Sequence, residues 1–452
     1  MRIPQLIAPD SAAIHRGVAA MMIATVISAC IVSCSPPPAH NHAEGDLFGS
    51  GAPVAPITPS PAGTADTEYQ SHAVLDGGIA YIGNDRELSI VDATKATRVA
   101  VIHSRGRPLS ISANSGGAPV LTSNAGSTFV LWPFVVAGAG GRPAVELTSI
   151  HTDTRAADHV IVGLPVEVLP SEPSLSVTVI GASGSTVVLD VGELLTHTAI
   201  AIDFATGKPR WIRPNFSATM VNADSVVGTE AGPGSPQADR LSAVSVSTGQ
   251  PVWTQLIGRR IQAVSAGPLL IAVTGQVETP DSGGSVRTEL RSAETGALVT
   301  NLPITLGDRI RCLYDDATVT VCTGPVDGRA GGRTAAAFDA QTGHPLWSMP
   351  TNATGGTGSG EAPLITAAWH GHIYATDTDA PLDPDTTSTV TNGQPADVSL
   401  PVTATSTTYQ ARSGVADGSI TGPVPVLVDD QACLAAGPEH TQIVARPRIT
   451  HD

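Results

Sequence analysis

An all-β fold is predicted by three features of this 452-residue chain. Glycine (46 residues) and proline (36) are abundant while aromatic residues make up only 4%. That mixture favours short strands and tight turns over long helices. Short alternating apolar runs recur, each ending in a Thr-Gly pair, which is the pattern of a strand entering a turn. The run also returns at spacings of 42 to 47 residues, the period of a repeat architecture.

The third feature carries the most. "TGKPRW" (Thr206, Gly207 to Trp211), "TGQPVW" (Thr248, Gly249 to Trp253) and "TGHPLW" (Thr342, Gly343 to Trp347) are three copies of one motif, and Thr295 and Gly296 begin a fourth. The preceding residues agree as well: "AIAIDFATG" (199–207), "LSAVSVSTG" (241–249), "TELRSAETG" (288–296) and "AAAFDAQTG" (335–343). Weaker copies lie at 88–96, 149–157 and 407–414. Before each copy stands a hairpin of two apolar strands, clearest at 72–84, 310–324 and 363–377, and after it a short outer segment. Four strands in about 47 residues is the signature of a β-propeller blade.

A lone four-stranded sheet leaves both faces wet; stacking sheets around an axis buries both, and closing the ring removes the ends. Each motif residue then has a physical task. Glycine supplies the positive φ such a turn demands. Proline suits an edge strand, where its missing N–H harms no ladder. Tryptophan buried against the next blade removes about 150–250 Å² from water, roughly 4–6 kcal/mol gross. The motif is architectural. Units starting near residues 72, 118, 174, 217, 261, 310, 363 and 424 give an expectation of eight blades, with seven as the alternative. The last unit ends without a fourth strand, so residues 52–60, "APVAPITPS", are expected to supply it as a clasp.

The pattern A-x-D-x-x-T-G-x-x-x-W, complete in "AIDFATGKPRW" and "AFDAQTGHPLW", resembles the repeat of PQQ-like β-propellers. That family includes quinoprotein alcohol dehydrogenases and an outer-membrane assembly lipoprotein of Gram-negative bacteria. The resemblance spans nearly the whole chain after the leader, but the shared residues are structural, so it implies the fold and leaves enzyme and non-enzyme both open.

The first residues give a location. Arg2 and Arg16 precede the uncharged stretch "GVAAMMIATVISACIVSC" (17–34), which reads as an export signal. It closes on "ISAC" and "IVSC", both similar to the bacterial lipoprotein signal, with Cys34 the expected lipidation site and Cys30 the alternative. An uncleaved membrane anchor and plain secretion are the other readings. The expected organisation is a signal peptide over 1–33, a Pro/Ser/Gly-rich tether over 34–70 and the propeller over 71–452. A net charge of −16 with no basic cluster gives no footprint for nucleic acid.

No catalytic, cofactor-binding or metal-binding residue is assigned. Quinone enzymes of the resembled family cap the cofactor with a disulfide between adjacent cysteines, and no Cys-Cys pair occurs here. Cys312 and Cys322 flank the turn of one hairpin symmetrically and are expected to form a disulfide outside the cytoplasm, with Cys433 a buried apolar residue. "HNH" (40–42) and "HGH" (370–372) lack further predictable metal ligands. In "DTDAPLDPD" (377–385) Pro381 and Pro384 break calcium-loop spacing, and "AGAGGRP" (137–143) reads as a hairpin turn. The functional expectation is a membrane-anchored, extracytoplasmic lipoprotein whose propeller is a non-catalytic platform for another protein or an envelope component. Residues 352–360 are a candidate docking rim. The alternative is a quinoprotein-like enzyme or small-ligand sensor using the central channel.

Overall fold

A computed structural model describes residues 54–56, 73–83, 86–95, 97–109, 112–124, 126–164, 174–193, 196–232, 238–277, 285–302, 310–325, 333–349, 363–376, 404–422, 424–436 and 441–445. All of them fall within one compact unit, Asp46–Asp452.

The described residues form seven blades and a closing sheet: each blade has a core of four antiparallel strand positions, and blades two and three each carry an added short strand, the one in blade three parallel to its neighbour. Blade one is Ala73–Asp76, Ile79–Gly83, Glu87–Asp92 and Thr97–His103. Blades three to seven begin at Ser174, Phe216, Arg259, Arg311 and Leu364, close to the starts read from the repeat. The expectation of eight blades is corrected to seven, the stated alternative, because the unit expected at 424 does not build a blade from its own stretch of chain. Its own run supplies only Val424–Val428, Ala432–Ala436 and Thr441–Ala445, and Val54–Pro56 adds the outermost strand. Seven blades are thus built from their own stretches of chain, and the eighth sheet joins both ends of the domain. The pairing Val54↔Val444 lies inside the segment expected to be tether, at the clasp position.

Alternation of side chains explains the packing. Along each inner and middle strand, successive residues face opposite neighbours, and every blade fills the gap on both sides. Leu131, Val145 and Leu147 of blade two pack on Val177, Leu189 and Ile200 of blade three. Val227 and Leu241 of blade four meet Ile271 and Val273 of blade five in the same way. The closing sheet contributes Val424, Val426 and Leu434 to a cluster with Ala80, Ile82 and Val91 of blade one. A hydrogen bond seals that joint, from Gly78 N–H to Asp429 Oδ2 at 2.6 Å.

Blade two departs from the expected hairpin starting near 118. Its inner position is split: Arg107–Pro108 and Val120–Asn124 each pair with part of Ser127–Ala137. The intervening chain crosses to blade three, where Ser112–Gly116 lies parallel to the start of Ser174–Ser183. The stretch "SANSG" offers no apolar alternation, so nothing in the sequence ties it to one face.

Candidate functional site: the repeated joints and the channel mouth

The Thr-Gly motif occupies the turn before the outermost strand in blades three to six, with Ser413-Gly414 in its place in blade seven. The N–H of Gly207, Gly249, Gly296, Gly343 and Gly414 each bonds the carbonyl four residues back, with φ between 67° and 71°. Arg155 takes the same place in blade two at φ 59°. The Asp of the motif accepts the Thr backbone N–H and hydroxyl: Thr206 on Asp203 and Thr342 on Asp339, both through Oδ1. These contacts hold both carboxyls below the usual carboxylate range, with Arg210 the first cause at Asp203 and the Thr342 N–H the first at Asp339.

After the turn the outermost strand carries one extra residue. Trp211 pairs with Ala201 and Pro209 with Ile202, leaving Arg210 as a bulge; Val252 and Leu346 stand likewise beside Trp253 and Trp347. The bulge turns the indole toward the next blade. A methyl group on Gly249 would lie 2.7 Å from Trp211 Cγ, and one on Gly414 would lie 2.8 Å from Trp347 Cδ2, so each ring rests on a bare glycine of the following blade. Trp211 Nε1 donates to Val246 O and Trp347 Nε1 to Ala411 O, each at 2.7 Å. In blade five Thr300 holds the Trp position, and bulged Val299 covers Gly343 instead.

Two residues that sequence reasoning missed do comparable work near the axis. Asp315 Oδ1 accepts the N–H groups of Ala317, Thr318 and Val319, while Oδ2 takes Gly371 N–H of blade seven at 3.1 Å. Asp429 repeats this with Gln431, Ala432 and Gly78. Only the doubled Asp in "YDDAT" and "VDDQA" signals them. Glu146, fully buried, accepts Ser104 Oγ, the N–H groups of Arg105 and Gly106, and His159 Nδ1 at 2.9 Å. Burial would raise its pKa, but those donors together outweigh it and hold it below the usual range. Asp315 and Asp429 fasten blade to blade, and Glu146 holds the connection that leads from blade one into blade two.

Cys312 and Cys322 are direct partners in register and are joined as a disulfide, and Cys433 is a buried thiol. Burial, reinforced by Asp429, pushes the Cys433 thiol pKa far up, so it stays protonated. The 137–143 segment is a turn with positive φ at Gly140 and Gly141. In "HGH", His370 stacks on Trp369 at 4.1 Å and His372 lies 3.2 Å from Asp417. Among the described residues, no three His, Cys, Asp or Glu side chains gather as a metal site. Cys30, Cys34, residues 40–42, 352–360 and 377–385 lie outside the described residues.

Among the described residues a cavity of about 500 Å³ lies where the inner strands of blades three to six approach their first turns. Ile180, Met220, Val221, Pro268 and Cys312 form its apolar wall; Thr219, Ser265, Tyr314 and Asp316 are its polar groups. These come from four blades, so no local sequence pattern announces them. Burial first, then the carboxylates of Asp316 and Asp315, raises the Tyr314 phenol pKa. The phenol is therefore neutral near pH 7 and acts by hydrogen bonding.

No family model and no curated protein matches the chain. Among solved structures it is similar to a quinohemoprotein alcohol dehydrogenase from Pseudomonas putida HK5, at 10% identity and TM-score 0.43, over 82% of this chain and 73% of that one. The Dos1 propeller aligns at 8% identity and TM-score 0.44, over 84% and 93%. The β-propeller domain of the trilobed protease from Pyrococcus furiosus aligns at 9% and 0.38, over 73% and 96%. These likenesses assign neither chemistry nor partner to the chain.

Proposed function

We propose that the chain is an extracytoplasmic lipoprotein, anchored through Cys34, whose propeller is a non-catalytic platform for another protein or an envelope component. The observation that carries the platform reading is the rim. Ile161 is 56% exposed, Val252 58%, Leu256 73% and Leu298 49%, and all four lie on outermost strands of blades two, four and five. Outermost strands also present unpaired backbone groups, so apolar side chains there offer a partner both a greasy contact and a ladder to extend. A photo-crosslinking residue at Leu256, used in cells, should trap one stoichiometric partner. A scatter of unrelated proteins there would sink the platform. For the anchor, Cys34→Ser should abolish lipid labelling; retained labelling would move the site to Cys30, and no labelling in the parent would end the reading.

A second reading, the small-ligand sensor, is favoured by the cavity in the channel. The quinoprotein-like form of that reading predicts a quinone absorbance band in purified protein.

A further inference from the structure

The cavity at the channel mouth has a wall with more acceptors than donors and one carboxylate that no lining cation balances. Ser265 Oγ donates its proton to Gly267 O at 3.3 Å, and Tyr314 Oη donates to Ala317 O at 3.0 Å. A hydroxyl has one proton and two lone pairs, so both groups have only acceptor capacity left for anything in the cavity. Asp316 is exposed, and an ionised carboxylate only accepts. Among the described residues it meets no hydrogen-bond donor and no cation. No lysine, arginine or histidine is among the lining residues. The Cys312 sulfur is tied to Cys322 and carries no proton to give.

Three residues with acceptor capacity, one of them anionic, and Thr219, whose hydroxyl can donate or accept, therefore line a space otherwise bounded by Ile180, Met220, Val221, Gly267, Pro268 and that sulfur. An ammonium group carries three donors, no acceptor and a positive charge, which matches the three acceptors and the unbalanced carboxylate, and the Thr219 hydroxyl can accept from it as well. The volume of about 500 Å³ lies within the range of small-molecule sites, about 300–1,000 Å³. We propose that the cavity binds a small organic cation, an ammonium group carried on an apolar body. The proposal rests on the channel-ligand reading above and is independent of any partner at the rim. Tyr314 contributes its oxygen and its ring face, which attracts a cation by its quadrupole.

Calorimetric titration of the whole protein with three indoles of one shape tests it: tryptamine (ammonium), tryptophol (hydroxyl) and indole-3-acetate (carboxylate). Tryptamine should bind at one site. Tryptophol should bind at least about tenfold more weakly, and the acetate more weakly still, as for a charge-assisted contact. Asp316→Asn should weaken tryptamine about 10- to 100-fold. Asp316 sits at φ 57°, a conformation asparagine also tolerates, so the turn should survive the change. Tyr314→Phe keeps the ring and should cost about three- to tenfold, the share of one neutral acceptor. If tryptophol matches tryptamine, or the Asn variant matches the parent, the cation assignment is overturned while the channel remains a ligand site. If none of the three binds up to about 5 mM, a regime of only about 3 kcal/mol, the channel-ligand reading falls with it.

Discussion

Trp211 and Trp253 occupy the same position in neighbouring blades, opposite Ala201 and Ala243, yet they dock differently. Trp211 lays its five-membered ring over Gly249 and donates its N–H to Val246 O. Trp253 covers Gly296 with its six-membered ring, Cε3 being 2.7 Å from where a methyl would stand, and its buried N–H meets no acceptor among the described residues. Trp347 follows Trp211. The shared part of the joint is an indole on a glycine; the hydrogen bond is separable from it. Most of the joint's strength should therefore lie in apolar burial, with the polar bond worth about 1 kcal/mol.

Truncation should break the comparison most severely. Trp211→Ala and Trp347→Ala should each lower stability by about 3–5 kcal/mol, and Trp253→Ala by about 1 kcal/mol less, since it removes an unsatisfied donor along with the ring. Denaturant midpoints would show this, and equal losses at all three positions would mean the bond contributes nothing. Filling the seat is the next test. Gly249→Val places a branched side chain at φ 68° and against Trp211, with an expected cost of about 3 kcal/mol from strain and overpacking.

Phenylalanine sharpens the contrast by keeping a ring and deleting the N–H. Trp211→Phe should cost about 1–3 kcal/mol more than Trp253→Phe, because only the first leaves a buried carbonyl without its donor. Thermal unfolding of the two variants side by side would decide it. The smallest effect concerns the turn beneath the ring. Blade six has Asp339 where blade four has Ser245, and Asp339→Ser should cost under about 1 kcal/mol at neutral pH. Its folded pKa is depressed, so its contribution is present above the unfolded value of 3.8 and is lost as pH falls through the lower folded one. The difference between parent and variant should vanish in strong acid; a constant difference would refute the electrostatic origin.

What could be read from the sequence follows from how local each cause is. The Thr-Gly turn needs a left-handed residue and the rim needs an indole, so both leave a mark within six residues. The clasp at 52–60 was legible because the final unit lacked a strand and a ring must close. Ser112–Gly116 was not, since it contributes backbone pairing without an apolar face. The channel cavity was not legible either: residues 180, 220, 265 and 314 are brought together only by the circle itself. Asp315 and Asp429 stand between these cases. Their doubled aspartates are visible, but that one carboxylate oxygen serves its own turn and the other the next blade requires the three-dimensional neighbour.

The closing sheet has a consequence in time. Val54 is synthesised 390 residues before the Val444 it pairs with. At roughly 5–20 residues per second, that strand waits about 20–80 s for its partner. Throughout that interval the two ends of the ring cannot pair. The last event is then a meeting of extremities, and any agent that occupies the leading strand meanwhile would leave a fully made but unlatched ring.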